Sequence, residues 1–158
     1  MKYLVLSLAA LLAVWSGYSA ASPPAITLPG YWACQQSLLA SGQESLGCYT
    51  PTQRDCLHGT SAVLAYERRS GRSSKQGQFQ IIDTVRLQHR DPHDNLTITT
   101  CTDAAGKTQQ YFVLAGPESV TKKYFGRVKR VWGVSAQGQL AEVSPKVLKC
   151  LNDAAGAD

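Results

Sequence analysis

The sequence predicts a mainly β domain: an antiparallel meander of about six short strands, an open curved sheet or a small barrel, with a short N-terminal helix and disulfide staples. Three observations predict it. Apolar residues recur with period two from Thr60 onward. Clusters of Gly, Pro, Asn and Asp interrupt those runs about every ten residues, as hairpin turns do. All five cysteines follow residue 21, in the part of the chain expected to be exported.

The export signal comes first. Met1-Lys2 opens a short basic region, Tyr3 to Trp15 is almost wholly apolar, and Ser19-Ala20-Ala21 supplies small residues for cleavage before Ser22. Residues 1–21 are therefore expected to be a secretory signal peptide; an amphipathic surface helix would carry a polar face that this run lacks. One β-rich domain is expected over 22–151, with a frayed tail over 152–158. The 158-residue chain has 16 Lys+Arg against 11 Asp+Glu, and removing the signal takes away one Lys and leaves +4. A domain of this size can bury a core without a structural metal. No later apolar run approaches the ~20 residues of a spanning helix. The expected location is a bacterial periplasm or the external medium.

Three prolines make Ser22 to Pro29 an extended lead-in. Tyr31 to Ala40 (YWACQQSLLA) fits two periods. Trp32, Cys34, Gln36 and Leu38 suit a strand face, while Trp32, Gln35, Leu39 and Tyr31, Cys34, Leu38 suit a helix. The helix is preferred, with Gly42 as its left-handed cap. Strands follow over Thr60–Glu67, Phe79–Leu87, Leu96–Thr100, Tyr111–Leu114, Val128–Val134 and Leu140–Val143. In the second of these Phe79, Ile81, Val85 and Leu87 are placed on one face, with Asp83 breaking the pattern. Ser70–Gly77, Arg90–Asp94, Asp103–Gly106 and Ala136–Gln139 supply the turns.

Cys48 and Cys56 bracket a short polar loop and are the expected local disulfide; Cys101 and Cys150 are the expected long-range one. Closing the longer loop contributes about 3–4 kcal/mol in the chain-entropy treatment. Cys34 is left over, buried beside Trp32 and inert, so a monomer is expected. There is no C-x2-C pair, and neither a metal nor another cofactor is expected.

Two clusters carry candidate chemistry. His89-Arg90-Asp91-Pro92-His93-Asp94 holds imidazoles and carboxylates, but Pro92 prevents the helix that would align both rings, so a charged turn is the preferred reading. Lys122, Lys123, Tyr124, Arg127 and Arg130 are the candidate binding residues, since Tyr and Arg dominate binding hot spots and cations favour an acidic partner. Lys129 is expected on the opposite strand face from Arg130. The expected function is a non-enzymatic exported protein that binds, and most simply inhibits, another secreted or envelope protein, with at most weak polyanion binding. The enzyme alternative is a basic secreted ribonuclease in which Glu67 and His89 exchange protons and Arg68 holds phosphate. No nucleophile elbow or phosphate loop occurs.

Leu28-Pro29-Gly30-Tyr31-Trp32 followed by Gly47-Cys48-Tyr49-Thr50-Pro51 resembles the opening of a family of small exported bacterial proteins of unknown function that begin with a PGxW motif. The likeness covers under a quarter of the mature chain, and the later cysteine spacing departs from it. Trp132-Gly133-Val134 through Gly138 to Leu140 is similar to a hairpin of small periplasmic immunity and inhibitor proteins. Neither resemblance carries over a functional residue.

Overall fold

The computed structural model describes residues 26–70, 78–88, 91, 93–117 and 121–155. The signal-peptide expectation over 1–21 falls outside them, as do His89 and Arg90.

Among the described residues nine strands form two antiparallel sheets. The first sheet is a meander of β1 (Trp32–Leu38), β2 (Glu44–Thr50), β3 (Ser61–Arg69) and β4 (Phe79–Gln88) in sequence order. The second runs β8-β7-β6-β5-β9, from β5 (Asn95–Asp103), β6 (Thr108–Ala115), β7 (Val128–Val134), β8 (Leu140–Val143) and β9 (Leu148–Cys150). The six expected strands are present as β3 to β8, and β1, β2 and β9 are additional. Among the described residues no helix is long and apolar enough to cross a membrane.

The expected N-terminal helix is corrected: Trp32–Leu38 is strand β1. A bulge explains the ambiguous pattern. Ala33 faces Tyr49 and Gln35 faces Cys48, so Cys34 is an extra residue that shifts the alternation by one. Gly42 does take a left-handed φ of +65°, but it closes the β1–β2 hairpin, donating to Leu39 O. Helical structure among the described residues is confined to a four-residue turn, α1 (Asp55–His58), and a 3-10 turn at Pro145–Val147.

The two sheets pack face to face. Leu46, Leu64, Tyr66 and Leu87 of the first meet Ile98, Phe112, Leu114 and Trp132 of the second in one buried cluster. A second bulge, at Ile82, corrects the reading of β4. Phe79 and Ile81 pair with Arg69 and Glu67, off the core, whereas Val85 and Leu87 join it. A smaller cluster lies on the far face of the second sheet, where Phe125 covers Tyr111, Val113 and Val131 beside the Cys101–Cys150 disulfide. Asn152, assigned by sequence to the frayed tail, is buried and donates from Nδ2 to Lys122 O.

The disulfides are Cys34–Cys56 and Cys101–Cys150, and Cys48 is the buried free thiol. The expected Cys48–Cys56 bridge is therefore corrected. Cys48 lies mid-strand among Leu46 and Leu64 in the core, while the β1 bulge brings Cys34 to the turn that carries Cys56.

Candidate functional site

Three donors converge on one carboxylate. Glu67 of β3 is 1% exposed and accepts hydrogen bonds from Ser45 Oγ at 2.5 Å, Gln36 Nε2 at 2.6 Å and the Tyr49 hydroxyl. Strand register assembles them. Ser45 is the cross-strand partner of Glu67, Gln36 is the partner of Gly47, and Tyr49 follows two residues along β2 on the same face. Gly47 makes the space: a Cβ there would stand 2.6 Å from Glu67 Oε1 and 2.7 Å from the Tyr49 ring. Burial, and then the Glu67 carboxylate, hold the Tyr49 phenol well above its ordinary pKa, so it stays a donor.

Beside this cluster runs a groove of about 500 Å³. Its walls include Ile26 and Leu28 of the lead-in and Phe79 and Ile81 of β4. The lead-in is anchored there by the Ile26 amide, which donates to Ile81 O at 3.4 Å. Gln36, Ser45 and Tyr49 were not among the residues the sequence singled out. The alternation of Ser45, Gly47 and Tyr49 was the available signal, on a strand that was not recognised.

The acid–base constellation is not brought together among the described residues. Arg68 points to the other face of β3, where Nη2 donates to the Tyr66 hydroxyl at 3.0 Å and approaches Glu44 at 3.4 Å. Glu67 is occupied by its three donors, and His89 lies outside the described residues. His93 is in a turn, its backbone N–H donating to Asp91 Oδ1. No group of three His, Cys, Asp or Glu gathers to hold a metal among the described residues.

The basic stretch divides into two parts. A third bulge sets Lys129 apart from its neighbours, and its ammonium donates to both Asp94 oxygens, at 2.6 and 2.8 Å. Arg130 makes a two-pronged pair with Glu142, at 2.9 and 2.7 Å, and lies 4.5 Å from the Trp132 ring centroid. That guanidinium holds the Glu142 carboxyl below the usual range.

Lys122, Lys123 and Tyr124 form a separate exposed edge beside β9. Phe125 N–H donates to Cys150 O, and Asn152 N–H donates to Lys123 O, each within 3.0 Å. Tyr124 is 43% exposed, with the Lys123 ammonium 5.6 Å from its ring centroid. Arg127 closes the segment by donating to Pro117 O.

At one end of the sandwich, Cys34–Cys56, Cys48 and Thr50 line a cavity of about 270 Å³. Burial pushes the Cys48 thiol up to about 11.

Comparison with protein-family models, with curated proteins and with solved structures finds no match for this chain.

Proposed function

We propose that this chain is a non-enzymatic exported binding protein that grips an acidic region of another secreted or envelope protein through the edge from Lys122 to Arg127. The exposed Tyr124 carries this reading. An aromatic ring flanked by cations presents contact area at low entropic cost when its backbone is already held. Here that backbone is tied to Cys150 and Asn152, next to a disulfide. The cations attract a partner of opposite charge and orient its approach. Inhibition follows most simply if the edge covers the partner's own working surface. The arrangement of Glu67 supports a binding role over an acid–base one, because its carboxylate is held by three donors, Ser45, Gln36 and Tyr49.

The test is affinity capture from a periplasmic extract with wild type and with a Lys123→Glu/Tyr124→Ala variant, at low and high salt. One protein is expected to be retained by wild type, weakened by salt and lost with the variant. Equal retention by both chains contradicts the assigned surface. Cleavage of RNA by wild type, lost in Glu67→Gln, would favour the nuclease instead.

A further inference from the structure

The inter-sheet core stops one layer short at the end formed by the β1–β2 and β5–β6 hairpins. Inner-face rows that carry Ile98, Phe112 and Trp132 in the core continue two residues further to Thr100, Gln110 and Val134. Thr100 and Gln110 are direct cross-strand partners. None of these three is large and apolar enough to fill the layer. A mouth of about 500 Å³ results, closed on the opposite side by Leu38 and Leu39. That size falls within the ~300–1,000 Å³ range of small-molecule sites. Leu38 is 53% exposed at its rim.

One residue lining this mouth departs from the usual satisfaction of buried polar groups. Gln110 Oε1 is buried and accepts no hydrogen bond. Every other buried side-chain acceptor among the described residues has a partner. Glu44, on the facing wall, is committed to the Tyr66 hydroxyl and Arg68, and Lys107 stands at the same mouth, so the lining carries one charge of each sign and selects neither an anionic nor a cationic head group. A buried ammonium would incur the desolvation cost of a charge among apolar side chains.

We propose that this mouth binds an uncharged aliphatic molecule bearing a hydroxyl or amide N–H, whose donor pairs with Gln110 Oε1 while its chain lies against Leu38, Leu39 and Val134. The site is separate from the Tyr124 edge and goes beyond the protein-binding reading, so either can fail alone.

The test uses the full exported chain and two isomeric probes, 1-octanol and 1-methoxyheptane, with octanoate as the charged comparison, followed by amide NMR titration. Octanol should give saturable shifts at Thr100, Gln110 and Val134. The ether, which cannot donate, should bind roughly tenfold more weakly, the effect of leaving one buried acceptor unpaired. Gln110→Met keeps the shape and removes the acceptor, so it should bind both isomers equally. Val134→Trp fills the mouth and should bind neither. Equal binding of the isomers by wild type, discrimination that survives in Gln110→Met, tightest binding by octanoate, or no saturable shift with any probe would each overturn the proposal.

Discussion

Asp83 Oδ2 accepts the main-chain N–H of Leu140 at 2.8 Å, joining β4 of one sheet to β8 of the other where no backbone ladder connects them. Its other oxygen accepts the Thr84 N–H at 2.8 Å, which fixes the carboxylate. The opposite seam is closed in the same way. Gln35 Oε1 accepts the Ile98 N–H at 2.7 Å, and Gln35 Nε2 lies 3.4 Å from Thr97 Oγ1. Side chains thus close both edges of the sandwich and give exposed ladder groups partners.

Asp83→Ala should cost about 1–3 kcal/mol, the range for leaving a partly buried amide unpaired. Urea unfolding measures the loss, and the Leu140 amide should exchange with solvent much faster. Gln35→Ala should act similarly on Ile98. The two seams share no partner, so the double variant should lose close to the sum. Unchanged exchange at Leu140 would show that Asp83 does not hold the seam.

Replacing Glu67 should be more severe than its position on an outer face suggests. Glu67→Gln puts an amide donor among three donors and should destabilise by about 2–3 kcal/mol. Gly47→Ala should weaken the same cluster by pressing a methyl group against Glu67 Oε1 and the Tyr49 ring. Equilibrium unfolding checks both. A neutral Glu67→Gln would mean the converging donors contribute nothing to stability.

Cys48 makes alkaline stability a sharp test of which thiol is free. Its pKa is raised by burial from an ordinary 9.0 to about 11. A raised acid holds its proton more tightly when folded, so its contribution is full below pH 9 and is lost as pH climbs toward 11. The loss is about 2–3 kcal/mol at one pKa unit per 1.36 kcal/mol. Cys48→Ala should be less sensitive to pH over that interval than wild type. Native Cys48 should resist alkylation, and the protein should run as a monomer on non-reducing gels. After unfolding and alkylation, peptide mapping should find the label at Cys48 and a Cys34–Cys56 bridge. A label at Cys34 would contradict the assigned pairing.

What the sequence made legible follows where its alternation is uninterrupted. β3 and β5 to β8 read directly from period-two runs. β1 imitates a helix because the Cys34 bulge breaks its phase. The short loop between Cys48 and Cys56 made those two look like the local pair and left Cys34 over, whereas the fold joins Cys34 to Cys56. The Ile82 bulge likewise merged two faces of β4 into one and made Asp83 look like an interruption rather than a seam residue. β9 is three residues long, too short for any period to show. Glu67 was singled out for its chemistry, but its partners come from β1 and β2, whose register no local pattern reveals. The basic stretch was visible as composition. Its division between paired Lys129 and Arg130 and the exposed Tyr124 edge depends on Asp94 and Glu142, which are distant in sequence.

The binding account is tested most directly by site-specific photo-crosslinking in living cells. A photoreactive phenylalanine analogue at Tyr124 should give one discrete adduct to a single protein, while the same analogue at Gln137, an exposed residue of the β7–β8 turn, should give none. Lys123→Glu in the same chain should diminish the Tyr124 adduct. An adduct from Gln137 alone, adducts only to nucleic acid, or none from Tyr124 would contradict the assignment of this edge as the surface that binds a protein partner.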